Sequence, residues 1–387
     1  MSGWAIARPR LAAAPFGLTL LWASAAAFVL FLVLPIVALF VEVVPSGDAW
    51  STINEPVVTD ALRLSLITTA ITAGLTVVFG TPLAYLLARR SFALHERLAA
   101  DFETNWGYRP VKTLGVVASA RRDISAYRKL PSPDWLGEGA AVHGQLGTPA
   151  STAQIDPAAF THAMMAAAIA NGARLVTGCV EGISRDPQNG TVTGVMVDGA
   201  VLRCDAVVIA MGPWSIYACQ WLPLGATIGS KGHSLVFDYA PSPQSLFVEL
   251  ETDEGEIAAP EINPRPDGTT YVCGLSGHDA LPADPADVLP EPGAAEKLRQ
   301  MTARISPNLA AAKVLAVQAC YRPLTADGLP QIGPVPGVPG AYVATGHNVW
   351  GMLNAPATGE AMAELITEGD ATTVNLAAFN PARLELG

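Results

Sequence analysis

The stretch Gly346-His347-Asn348-Val349-Trp350-Gly351-Met352-Leu353-Asn354-Ala355-Pro356 is where residue types and spacing in this 387-residue chain speak most directly of chemistry. Two glycines punctuate a loop, and the proline suits the first position of a helix expected to run to about Glu368. The start of such a helix presents free backbone N–H groups and a positive dipole end, where negative charge developing on a ligand is stabilised. Gly346 and Gly351 would let the backbone lie against a planar ring where a Cβ would clash. His143, His162, His233 and His278 stand in no acid–nucleophile constellation and read as solvated or core histidines. The five cysteines, at 179, 204, 219, 273 and 320, form no C-x-x-C pair and have no zinc-ligand spacing with a histidine. They read as buried, reduced thiols, and no metal site is expected.

The elements that must position this loop alternate between helix and strand. Asp156-Pro157 starts a helix with an acid at the N-cap, and Gly172 closes it. Ala173–Val180 is a short apolar run expected to be a strand. A β-meander follows, with turns at Asp186-Pro187-Gln188-Asn189-Gly190 and at Asp198-Gly199. The run Asp205 to Gly212 has the unbroken apolar character of a strand covered on both faces of a parallel sheet. Residues 213–335 are rich in Pro and Gly and carry alternating runs, the pattern of a mainly antiparallel substrate domain. Ala341–Thr345 then returns as a strand leading into the 346–355 loop.

Charge divides unevenly along the chain. Removing the five Arg and four acidic residues of 1–90 from the totals of 23 and 34 leaves 18 basic and 30 acidic residues in 91–387. An acidic body of this kind does not fit a nucleic-acid partner.

Arg322-Pro323-Leu324-Thr325-Ala326-Asp327-Gly328-Leu329-Pro330-Gln331-Ile332-Gly333 and the stretch Tyr342 to Gly359 strongly resemble the C-terminal signature of the D-amino-acid oxidase family of FAD-dependent oxidoreductases. Ile209-Ala210-Met211-Gly212-Pro213-Trp214-Ser215 and Pro260 to Gly268 extend the resemblance over residues 91–368. It implies an α/β fold of the two-dinucleotide-binding type in two parts: an FAD-binding domain at 91–212 and 336–387, and a substrate domain at 213–335. The implied chemistry is oxidation of the C–N bond of an amino acid or related amine, with hydride passing to flavin N5. The resemblance assigns Arg322 to a substrate carboxylate, which a guanidinium fork grips better than an ammonium does. It assigns Val180, Ala210, Gly212, Trp214, Gly346, His347, Asn348, Val349, Trp350, Gly351, Met352 and Leu353 to the cofactor. Glycine-oxidising members carry a second arginine at the position of Val349, so their substrate does not transfer to this chain.

The family opens with a strand, a G-x-G-x-x-G turn and, some 20 residues on, an acid for the ribose. No G-x-G-x-x-G occurs here; Gly137-Glu138-Gly139-Ala140-Ala141-Val142 lacks the third glycine and reads as a loop. FAD binding is therefore expected to be weak or absent. In its place stand two uncharged stretches, 18–41 and 64–88, each long enough to cross a bilayer. Arg8, Arg10, Arg89 and Arg90 flank them, which predicts a transmembrane hairpin over residues 1–90 in a cytoplasmic membrane, with 91–387 cytoplasmic. Thr68, Thr72, Thr76 and Gly80 repeat every fourth position in the second stretch, a spacing for close helix approach. That stretch resembles the N-terminal part of molybdate/sulfate-type ABC-transporter permeases, which implies a chimera. The family's loop for docking an ATPase is missing, so no ATPase partner is expected. The alternative reading is a permease fragment or a fusion with no activity of its own.

Overall fold

The computed structural model describes residue 63, residues 67–69 and residues 81–384 other than 120, 254 and 278. The chain divides after Ala84 into two units, and the second, from Tyr85 onward, carries the fold. The stretch 18–41 and most of 64–88 lie outside the described residues. Among the described residues no helix is long and apolar enough to cross a membrane.

Helix α1 (Thr81–Asp101) runs without a break through Arg89 and Arg90, which the sequence suggests as the flank of a membrane span. Arg90 instead pairs with Glu360, Nε to Oε2 at 2.8 Å. The chain continues through strands β1 (Thr113–Ser119) and β2 (Ala140–Gly147) to helix α2 (Pro157–Ala170). Asp156 caps α2 as expected, its carboxylate accepting from Ala159 N at 2.9 Å. The meander is β3 (Val180–Arg185), β4 (Val192–Val197) and β5 (Ala200–Arg203), paired antiparallel in sequence order. Its last turn places Asp198 at φ 48° and Gly199 at φ 74°, the paired left-handed conformation of a tight hairpin.

Two expectations fail next to the meander. Residues 173–179 form no strand and their side chains are exposed, Leu175 at 64%. The strand expected over 205–212 shortens to β6 (Val207–Ile209), whose Val208 is 38% exposed. An apolar run becomes a buried parallel strand only where other layers cover both its faces and strands flank both its edges; among the described residues β6 is flanked along one edge, and Val208 is left partly open.

The main elements that follow are β7 (Ile228–Phe237), β8 (Ser245–Glu251), β9 (Glu261–Pro264), β10 (Thr270–Ser276), helix α3 (Ala294–Ile305), β11 (Val314–Leu324), β12 (Gln331–Pro334), β13 (Ala341–Thr345) and helix α4 (Gly351–Glu368). The largest sheet runs β11-β7-β10-β9-β8-β1-β2, antiparallel except between β8 and β1. One of its faces buries Leu235, Phe237, Leu246 and Val272 against Leu298 and Ile305 of α3. The smaller sheet is β12-β13-β6, with β13 and β6 parallel. Val192, Ile209, Ala341 and Val343 form its core. The five cysteines are free, but not all buried: Cys179 and Cys320 are exposed, and only Cys273 is fully buried.

Candidate functional site

The face of the large sheet turned away from α3 carries polar residues in register. Gln318 of β11 lies beside Ser234 of β7, then Cys273 of β10, Glu261 of β9 and Phe247 of β8. A row of this kind is a consequence of strand pairing between distant segments, invisible to local pattern. Above it stand the starts of two helices, α2 and α4, and one face of α1. Between the layers lies a cavity of about 790 Å³, lined by Gln318, Ser234, Glu261 and Phe247 from the sheet and by Met352 and Leu353 from α4. The volume is in the range of small-molecule and cofactor sites.

Helix α4 begins at Gly351, not at Pro356, so the proline lies inside it. A proline there removes the amide that would bond the Met352 carbonyl one turn earlier. His95 Nε2 donates to that carbonyl at 2.9 Å, and Ser91 Oγ accepts from the next amide, Ala357 N, at 3.1 Å. Ser91 and His95 are four apart on α1 and share a face. Neither residue stands out in the sequence; the available signal is a proline in a helical stretch, which demands an outside partner. Burial holds the His95 pKa below its ordinary value.

Of the residues that the resemblance assigns to a cofactor, Met352 and Leu353 line the cavity, and the others do not. Val349 and Trp350 are exposed, at 53% and 60%. His347 Nε2 meets Thr358 Oγ1 at 3.1 Å, and desolvation pushes its pKa down to about 4. Asn348 takes φ 51°. Gly346 takes φ 80°, and a Cβ there would stand 2.5 Å from Thr325 Cγ2, so packing within the protein by itself asks for glycine. At Gly351 a Cβ would meet His347 Cβ at 3.6 Å, an ordinary contact.

The ends of β6 and β13 are tied together. Thr345 Oγ1 donates to Gly212 O at 2.9 Å, and Ser215 Oγ donates to Thr345 Oγ1 at 3.0 Å. Gly212 has φ 55° with nothing within 4 Å of where a Cβ would stand. Ala210 is exposed beside it. Crevices outside the carboxyl ends of parallel strands are where open α/β sheets take ligands. Trp214 is turned toward the protein, its Nε1 donating to Pro282 O at 2.8 Å. Val180, at the start of β3, is 36% exposed.

Arg322 lies on β11 two residues beyond Cys320, on the same strand face. Its guanidinium crosses β7 over Gly232, where a Cβ would come within 3.3 Å of Cζ. It makes no hydrogen bond or ion pair with the described residues, and its positive charge opposes the upward push that burial gives the Glu261 carboxyl.

The flavin ring implied by the resemblance has a place that fits. The start of α4 borders the cavity, and its N-cap, Trp350, supplies no side-chain cap to the free first-turn amides. Asn354 Oδ1, in that same turn, is buried without a partner among the described residues. No group of His, Cys, Asp and Glu among the described residues is arranged to hold a metal ion.

Comparison with known proteins gives this geometry a family. The solved glycine oxidase of Geobacillus kaustophilus superposes with TM-score 0.61 at 24% identity, over 79% of this chain and 83% of that one, which shows the mixed α/β fold. The putative oxidoreductase TDA3 of Saccharomyces cerevisiae is 27% identical over 344 residues, covering 78% of this chain. The glycine oxidase of Pseudomonas putida is 32% identical over 181 residues, 46% of this chain. The chain spans 62% of the length of TDA3 and 46% of that glycine oxidase. The profile of the FAD dependent oxidoreductases (DAO) matches residues 60–365. That match takes in 64–88, so it claims residues that resemble a permease span in the sequence and leaves the chimera without support. The chain belongs to the DAO family of FAD dependent oxidoreductases.

Proposed function

We propose that this chain oxidises the C–N bond of an amino acid or related amine, with FAD held against the start of α4. The observation that carries the reading is the cavity itself, lying between the polar row of the large sheet and the uncapped N-terminus of α4. FAD, when bound, supplies the hydride acceptor. The protein's part is to bind, orient and desolvate. Met352 and Leu353 would border the ring, and the positive end of α4 favours negative charge placed there. Arg322, free of ion pairs among the described residues, would take the substrate carboxylate with both oxygens. Tyr271, pushed up to about 12 by burial, stays a neutral hydrogen-bonding phenol in the cavity wall.

The absence of a G-x-G-x-x-G pattern supports weak retention of FAD, because the backbone cradle for the pyrophosphate is what that pattern supplies. The full chain is purified, its flavin content measured, and the protein then supplied with FAD in excess. The reading requires bleaching of the flavin spectrum under anaerobic conditions by at least one amino acid or amine, and loss of that response to carboxylate-bearing substrates in Arg322→Ala. A chain that takes up FAD yet is bleached by no member of a broad amine panel refutes it.

A further inference from the structure

The cavity wall contains three charged side chains, and two of them are engaged. Asp156 caps α2, and the Arg265 guanidinium lies 4.9 Å from the centre of the Tyr271 ring. The third, Glu261, is half-buried, and among the described residues the only polar contact of its side chain is the Cys273 thiol, Sγ to Oε2 at 3.9 Å. No cation stands within ion-pair distance of it among the described residues. A carboxylate drawn out of water without a cation is a costly feature to keep in a cavity wall.

Burial pushes the Glu261 carboxyl up, and the positive charge that opposes this is Arg322, whose guanidinium lies over Gly232 and acts on both Glu261 and Cys273 without closing an ion pair. This side of the sheet therefore presents a guanidinium and a carboxylate as separate poles, with a neutral thiol close to the carboxylate. If the Arg322 pole holds the substrate carboxylate, a ligand lacking a positive group would place its anion beside Glu261 uncompensated. The reacting nitrogen cannot supply that charge, because it must be unprotonated for its lone pair to form the C=N bond as hydride leaves carbon.

We infer that Glu261 is a specificity-determining residue that selects amino acids bearing a second, non-reacting cationic group, the class of free lysine and ornithine. The inference rests on the amine-oxidation reading for its chemistry, and on the unpaired carboxylate for its selectivity. Both enantiomers of free lysine are compared with those of norleucine, which differ only in the terminal ammonium, by anaerobic calorimetric titration of the full chain as purified. Wild-type protein should bind one enantiomer of lysine about tenfold or more tighter than its norleucine counterpart, the size of one desolvated charge pair. Glu261→Gln should erase the preference and Glu261→Asp should keep part of it.

Equal affinity for lysine and norleucine in the wild type overturns the inference without recourse to any variant, and so does a preference that survives in Glu261→Gln. Flavin reduction is followed separately on the FAD-supplied chain. Binding preference with no reduction by any amine refutes the oxidation reading and leaves Glu261 as a cation site, whereas reduction by neutral amino acids with no preference does the reverse.

Discussion

His95 on α1 donates to the Met352 carbonyl at 2.9 Å, the carbonyl that Pro356 leaves without a helical partner. The carbonyl can only accept, so Nε2 carries the proton and Nδ1 is left buried with no partner among the described residues. This contact fixes the turn that brings Met352 and Leu353 to the cavity. His95→Ala should cost about 1–3 kcal/mol of unfolding free energy, the penalty for an unsatisfied buried carbonyl. His95→Gln, which can still donate, should recover part of it. Urea denaturation of the two variants checks the order, and equal losses would mean that packing against Phe160, whose ring centre lies 5.1 Å from that of His95, and not the hydrogen bond, is what His95 contributes.

The family resemblance, the Asp156 cap and both meander turns are legible in the sequence because each is a local pattern with a local cause. The start of α4 is not, because Pro356 has a favoured place at the head of a helix, and the partners that make it tolerable inside one come from Ser91 and His95, some 260 residues away in sequence. The strand expected at 173–180 fails for the opposite reason: apolar character reports a preference for a buried sheet and cannot report whether a neighbouring strand is there. Glu261 escapes a local reading because its place in the cavity depends on the register of five strands drawn from residues 228–324.

Gly346 holds the turn from β13 into the 347–353 loop at φ 80°, with Thr325 packed against it. Gly346→Ala adds a Cβ 2.5 Å from Thr325 Cγ2 as well as backbone strain, and should destabilise the protein by about 2 kcal/mol or more. Adding Thr325→Ser removes the clashing methyl while keeping the hydroxyl that donates to Leu329 O. The double variant should therefore regain the steric part and not the conformational part, which thermal unfolding of the wild type, Gly346→Ala and the double variant resolves.

His347 gives the fold a defined pH response. Its pKa falls from an ordinary 6.5 to about 4 because burial disfavours the imidazolium. As pH drops below 6.5 the unfolded chain takes a proton that the folded chain refuses. Its contribution is thus intact above pH 6.5 and lost progressively toward pH 4, up to about 3 kcal/mol in all. His347→Gln should flatten this part of the stability profile. Urea midpoints measured at neutral pH and at about pH 5 would show a smaller drop in the variant than in the wild type, and parallel drops would assign the acid sensitivity to other groups.

The surface beside the meander is apolar and open. Strand β6 bonds only β13 among the described residues, leaving Val208 at 38% exposure, and the strandless segment before β3 exposes Leu175 at 64% and Val176 at 48%. An open strand edge and uncovered aliphatic side chains are templates for self-association. Side chains that touch little can be changed at small cost, within about 0.5 kcal/mol. The pair Leu175→Lys and Val176→Thr should therefore lower self-association in light scattering while leaving thermal unfolding nearly unchanged. If the melting temperature instead fell by several degrees, these side chains would be part of a packed surface in solution, and the segment 173–179 would have to be redrawn as a covered element.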